Sequence, residues 1–239
     1  PGFEEDDGAM ANWPRYGNAI DNVTSDWGTH HDGFRSLKMY GQFNGQENFS
    51  GALQNIAITG GERITASAHA LTRSEDSVRG TANRAFMKLE FYSEAGAAYD
   101  SPFFIDEAAV VIADASSPED TWSFADLTTV APMNAVEARL TFLFQQPASI
   151  PCGAVFVVSA TLTTACTVDL ADDLGSIGSD GQISFGDFLF ALSALGPCPT
   201  GTASCDADIA DDFGTLGALD GQVSFGDFLA MLTLLGPCP

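Results

Sequence analysis

The sequence predicts a mainly β chain, an antiparallel β-sandwich followed by a small α-helical domain made of a duplicated loop-and-helix unit. Three observations carry that prediction. From Phe34 to Leu162, short runs of alternating apolar and polar residues are separated by Gly, Asn, Asp and Pro, and no long helical period competes. The composition then breaks at residue 165: the preceding part holds 21 acidic and 9 basic residues, and the last 74 residues hold 11 Asp with no Glu, Lys or Arg. Beyond the break the sequence repeats itself. The expected domains are an acidic N-terminal arm (1–12), a sandwich (13–164) and a duplicated tail (165–239).

Charge and hydropathy narrow the function. The formal net charge of -23 repels phosphate, which argues against nucleic acid and anionic membrane as partners. Hydrophobic residues make up 45% of the chain, enough for a buried core. No apolar run approaches the roughly 18 residues a bilayer span needs, so no membrane insertion is expected. No basic-then-apolar leader opens the sequence, and Pro1 is expected to begin a mature chain.

The strands follow in order. Candidates lie at 34–41, 48–59, 63–71, 85–92, 121–130, 137–144 and 154–162. In 63–71, Ile64, Ala66, Ala68 and Ala70 share a face. Ala85, Met87, Leu89 and Phe91 do the same in 85–92, with Lys88 and Glu90 opposite. In 137–144 the apolar face is Ala138, Leu140, Phe142 and Phe144. Seven or more such strands in this length mean an antiparallel sandwich.

The tail reads CTVDLADDLGSIGSDGQISFGDFLFALSALGPC and then CDADIADDFGTLGALDGQVSFGDFLAMLTLLGPC. Ser184 and Ser224 stand at N-cap positions, with Asp187 and Asp227 three residues on, the capping-box spacing. Phe185, Phe188, Leu189, Leu192 and Leu195 recur at helical intervals, as do Phe225, Phe228, Leu229, Leu232 and Leu235. These faces are expected to bury against each other, and Gly-Pro stops each helix.

The stretch D-G-Q-[IV]-S-F-G-D matches the second half of an EF-type calcium loop. It places Asp180, the Gln182 carbonyl and Asp187 around one ion, and Asp220, the Gln222 carbonyl and Asp227 around another. An insertion separates these from the first ligands, Asp169 with Asp172 and Asp173, and Asp208 with Asp211 and Asp212. About two Ca2+ ions are expected. In the alternative reading, Asp187 and Asp227 are helix caps and the other Asp residues turn formers.

Five cysteines occur. Cys166 and Cys198 bracket the first repeat, and Cys205 and Cys238 the second, so Cys166–Cys198 and Cys205–Cys238 is the economical pairing. Three connectivities remain open for four Cys. Such a framework implies an oxidising, extracellular compartment. Cys152 is left over and is expected to be a buried free thiol.

On the DGQxSFGDFL half of each repeat, the tail resembles a dockerin, and its flanking Cys and Gly-Pro-Cys-Pro endings are similar to the dockerin-like tails of planctomycete surface proteins. The resemblance implies calcium-dependent folding and docking onto another protein. Residues 13–164 resemble the jelly-roll sandwiches of carbohydrate-binding modules, on S-L-K-M-Y-G (36–41), F-N-G-Q (43–46), the A-P-x-x-A-x-x-A-R-L-x-F entry (131–142) and G-A-V-F (153–156).

Candidate ligand residues are Trp13, Tyr16, Trp27, His30, His31 and Trp122, which could stack a sugar ring or a partner; Trp122 as core and Trp27 as loop packing is the alternative. Asn22 and Asn48 head sequons. No nucleophile elbow, phosphate loop, zinc-protease or dinucleotide motif occurs, so no enzyme is expected. The expectation is a secreted, non-catalytic cell-surface or matrix protein. Its sandwich presents a binding surface, and its tail docks to a protein partner or another copy, with head-to-tail joining able to propagate a filament. The alternative is a polysaccharide-binding module anchored to a surface receptor by its tail.

Overall fold

The computed structural model describes residues 3, 10, 12–23, 31, 35–148, 152–166, 170, 182–198, 207–210, 213–214, 220–232 and 236–237. The chain divides into two compact units, one of Pro1–Ala57, Ile64–Thr129 and Val136–Thr163, the other of Ile58–Arg63, Val130–Ala135 and Thr164–Pro239.

Ten strands build the sandwich. One sheet runs β1 (Arg15–Tyr16), β4 (Asn48–Ala57), β9 (Glu137–Gln146), β6 (Arg84–Tyr92), β7 (Phe104–Ala113). The other runs β2 (Asn18–Val23), β3 (Arg35–Tyr40), β10 (Ala154–Cys166), β5 (Glu62–Leu71), β8 (Ser123–Val130). The chain changes sheet at every step except β2–β3 and β6–β7, which is jelly-roll connectivity. Gly17, at φ +60, lets it pass from β1 to β2; a Cβ there would lie 2.5 Å from the Phe49 carbonyl oxygen.

The predicted inward faces are the core. Ile64, Ala66, Ala85, Met87, Leu89, Ala138, Leu140, Phe142 and Phe144 are all fully buried. Truncating Phe142 to Ala would cost about 3–5 kcal/mol. Strands β1, β2 and β7 were not foreseen: the first two are short and polar, and β7 carries an unbroken Ala-Ala-Val-Val-Ile run without alternation.

Phe3 and Met10 are buried, and the Phe3 ring lies 4.9 Å from Trp13 and 6.1 Å from Phe142, so apolar anchors inside an acidic stretch join the core. Asn48 is also buried. Its amide donates to the Gln46 carbonyl and Gln146 Oε1, so this sequon residue serves the fold.

In the tail, β11 (Gln182–Ile183) leads into α1 (Phe185–Ser193) and β12 (Gly196–Pro197), and β13 (Gln222–Val223) into α2 (Phe225–Leu232) and β14 (Gly236–Pro237). The strands cross over: β12 pairs with β13 and β14 with β11, so each repeat completes the other's small sheet. The core holds Ile183, Ala191, Ala207, Ile209, Ala210, Val223, Ala230 and Met231, with Phe188 and Phe228 packed against it.

The expectation that the Phe/Leu faces bury each other holds only for Phe188 and Phe228, whose rings meet at 6.1 Å. Phe185 (71%), Leu189, Leu192 and Leu195 are exposed, as are Phe225 (73%), Leu229 and Leu232. Each helix carries two adjacent apolar stripes, and the one with Ala191 or Ala230 turns inward because small residues allow close approach. Cys152 is also corrected: it is free and exposed in the loop before β10. Among the described residues no helix is long and apolar enough to cross a membrane.

Candidate binding cleft

Strand β9 is the middle of its sheet, and its period of two sends Glu137, Arg139, Thr141 and Leu143 away from the core. Register sets Leu53 and Lys88 beside Thr141, and Asn55 and Glu90 beside Arg139. At the sheet edge Tyr16 pairs with Gly51, where a Cβ would stand 2.6 Å from the Tyr16 hydroxyl; glycine lets the ring lie across β4. Tyr16, Leu53, Lys88, Glu90, Arg139, Thr141 and Leu143, with Phe49 and Tyr99, line a cleft of about 390 Å³.

Its floor is charged yet buried. Arg139 donates from Nε to Asn55 Oδ1 (2.8 Å), from Nη1 to the Tyr92 hydroxyl (2.9 Å) and from Nη2 to the Ala97 carbonyl (2.6 Å). Its Nη2 lies 3.6 Å from Glu137, and Tyr92 donates to Glu90 Oε2 at 3.0 Å. Lys88 Nζ is 2.5 Å from Glu107 and 3.4 Å from Glu90. The loop after β6 is pinned to this network, since Gly96 N–H donates to Glu137 while Arg139 holds Ala97. That loop carries Tyr99, 57% exposed, its ring 5.3 Å from Lys88 Nζ.

Burial, with the Glu90 charge adding, raises the Tyr16 and Tyr92 phenols well above their ordinary value, so both stay protonated donors. Burial alone would lower Lys88. The Glu107 hydrogen bond and the Glu90 and Glu107 charges outweigh it, and the ammonium is held above its usual range. Thr141 is 4% exposed, and its Oγ1 has no hydrogen-bond partner. A buried hydroxyl left open in a cleft is where a ligand hydroxyl would complete the pairing.

Of the sequence candidates, Tyr16 lines the cleft. Trp13 does not: it is 2% exposed, packed 5.7 Å from the Phe142 ring, because it is the plug of the core beneath β4 and β9. Trp122 is half-buried just ahead of β8, in the opposite sheet. There it meets His31 edge-on at 6.1 Å, and His31 stacks on His69 at 3.9 Å. Trp27 and His30 lie outside the described residues. Sequence reasoning missed Phe49, Leu53, Lys88, Glu90, Tyr99, Arg139, Thr141 and Leu143. The available signal was charge at outward positions of the most hydrophobic strands, Lys88 and Glu90 in 85–92 and Arg139 in 137–144.

In the tail, Asp187 and Asp227 are fully buried and meet backbone donors. Asp187 accepts from Leu170 N–H (2.6 Å) and Ser184 N–H (2.7 Å). Asp227 accepts from Ile209 (2.7 Å), Ala210 (2.9 Å) and Ser224 (2.7 Å). Ser184 and Ser224 hydroxyls accept in return from Gly186 and Gly226, as capping requires. Asp208 accepts from Gly221 N–H (2.9 Å) and Asp220 N–H (3.4 Å), folding across the insertion onto the Asp-Gly turn. Burial raises the Asp208 carboxyl above its ordinary value, the Gly221 and Asp220 N–H groups oppose this, and the charges of Asp227 and Asp220 add to it.

An all-oxygen donor set with uncompensated charge suits a hard cation such as Ca2+. Among the described residues no group of three or more His, Cys, Asp or Glu is placed to hold an ion. Asp169, Asp172, Asp173, Asp180, Asp211 and Asp212 lie outside the described residues, and only the backbone of Gln182 is described. Cys198 is disulfide-bonded, and its sulfur stands 3.4 Å from Asp208 Oδ2. Cys205, Cys238 and the Cys166 side chain lie outside the described residues.

No protein-family model and no curated protein matches the chain. Among solved structures, it is similar to the CBM22-2 xylan-binding domain of Paenibacillus barcinonensis Xyn10C, at 18% identity and TM-score 0.46, over 69% of this chain and 97% of that one. It is similar to TmCBM61, solved with β-1,4-galactotriose, at 12% identity and TM-score 0.45, over 69% and 95%. It is also similar to the enzymatically active domain of bacteriophage CBA120 tailspike protein 4, at 15% identity and TM-score 0.45, over 65% and 20%. At such identities the chemistry has to be read from the cleft itself.

Proposed function

We propose that the sandwich is a non-catalytic, extracellular polysaccharide-binding module. The open hydroxyl of Thr141, on a hydrogen-bonding floor flanked by Tyr16, Phe49 and Tyr99, carries the reading. Aromatic faces pack the C–H faces of sugar rings, and polar groups on a rigid sheet select their hydroxyls. Glu90 and Glu107 would be the acid–base pair of a hydrolase, but both are tied to Lys88, and Glu90 also accepts from Tyr92. The test is affinity electrophoresis of the protein through gels cast with single polysaccharides. Retardation by at least one, lost about tenfold in Tyr99→Ala with an unchanged melting temperature, supports the reading; retardation by none overturns it.

The tail is, on this reading, a docking element that holds the module to another protein or to a second copy. Phe185, Leu189 and Leu192 on α1, and Phe225, Leu229 and Leu232 on α2, form equivalent exposed apolar stripes, an uncommon feature without a partner. Asp208, Asp220 and the Gln222 carbonyl, with the remaining Asp residues of the sequence pattern, would hold Ca2+ there and offset the tail's charge. Sedimentation velocity of the full chain with calcium and with chelator tests this. A single species of the same size in both, with no calcium bound by titration, overturns it.

A further inference from the structure

The glycan reading leaves the class of sugar open, and the cleft's charges narrow it. Its floor has two cations, Lys88 and Arg139, and both are already engaged. Lys88 faces Glu107 and Glu90, and Arg139 faces Glu137 and, at 4.0 Å, Glu90. Three carboxylates therefore stand against two cations, inside a chain of net charge -23. The Arg139 donors described above go to Asn55, Tyr92 and Ala97, a set that fixes the floor and the Tyr99 loop and leaves no fork aimed at a carboxylate. The polar groups that remain for a ligand are neutral: the Thr141 hydroxyl, with no partner, and the Tyr16 phenol.

Resting on the polysaccharide reading, we propose that the cleft selects uncharged glycans, with the Thr141 hydroxyl as its central hydrogen-bonding group, and rejects uronate-bearing and sulfated ones. An acidic sugar would meet net negative charge on a low-dielectric floor whose two cations among the described residues, Lys88 and Arg139, are already engaged. A neutral ring gives its hydroxyls to Thr141 and its apolar face to the tyrosines, at no charge cost.

Thr141 makes a second readout available. An open buried hydroxyl is a liability to the free protein, and valine has the same shape without it. Thr141→Val should therefore melt at the same or a higher temperature than the parent while binding about tenfold more weakly. A residue that only served the fold would lower the melting temperature instead.

The experiment titrates the full-length chain by calorimetry with two panels. One holds neutral gluco-, manno-, galacto- and xylo-oligosaccharides; the other holds polygalacturonate, alginate and heparin fragments. Binding confined to the neutral panel, insensitive to salt and weakened in Thr141→Val, supports the proposal. Equal or tighter binding of an acidic probe overturns it while leaving the polysaccharide reading standing, and binding of neither panel overturns both. Unchanged affinity in Thr141→Val overturns the role of that hydroxyl. Glu107→Gln relieves one of the carboxylates on Lys88 and should raise acidic-probe affinity severalfold with neutral affinity kept; an unchanged ratio overturns the charge argument.

Discussion

The sandwich and the tail both bury carboxylates, and they satisfy them by opposite means. Glu90 and Glu137 in the sandwich are met by the cations Lys88 and Arg139. The tail has no Lys or Arg, and Asp187 and Asp227 are met by backbone N–H groups of a preceding segment and a helix start. Pairing charge with charge leaves side chains to shape a surface, and a cleft lies over that network. Pairing charge with backbone fixes the path of the chain, which suits a short domain with little apolar mass to bury. Side-chain pairs build a site; backbone pairs build a fold.

The largest effect that could break this contrast is in the tail. Asp227→Ala strands two buried N–H groups and one half-buried one, and is expected to cost the tail about 3 kcal/mol. Helical circular dichroism should fall while glycan binding by the sandwich is kept; loss of both signals together would mean that the two parts do not behave separately. Arg139→Ala leaves Glu137 without its cation and Glu90 with Lys88 alone, and should cost about 3 kcal/mol or more in the strand-dominated melt. It should also release the Tyr99 loop to proteolysis, with the tail's helical signal unaffected.

A chelator should lower the helical signal and spare the strand signal, because the tail's 11 Asp have no countercharge. Helix content indifferent to chelation would leave the backbone ties as the sole support. The smallest effect is with pH. Asp208 is held above the ordinary carboxylate range, so in calcium-free buffer the folded tail takes up its proton before the unfolded chain does. Its stability should rise as pH falls toward about 4. Asp114 is held low by Ser116, and Asp120 by Ser74, so their contributions to the sandwich should be lost as pH drops below that range, while Glu62 on β5, raised by burial, acts in the opposite direction. Melts followed at helix and strand wavelengths between pH 6 and pH 3 separate the two responses, and a shared trend would refute the contrast.

What the sequence reveals follows the same division. Strands β5, β6 and β9 are legible because one face is core and the other is not, which period two displays directly. The capping boxes are legible because they are local. The cleft is not, because the outward charges Lys88, Glu90 and Arg139 are buried by a loop pinned from another strand, a tertiary event with no local trace. Tyr16 was found only as an aromatic near polar residues, and the same reasoning wrongly selected Trp13. The helix stripes were misjudged because the period reports that a helix is apolar, not which of two apolar stripes turns inward.

The exchanged pairing of β12 with β13 and of β14 with β11 makes the tail a handshake between its halves. Ile183 waits for Gly236, so the first half cannot close its edge until the second has been synthesised. A chain cut after α1 would display an open strand whose natural complement exists on every other copy of the protein. Two chains that traded halves would satisfy the same bonds as one chain that keeps both.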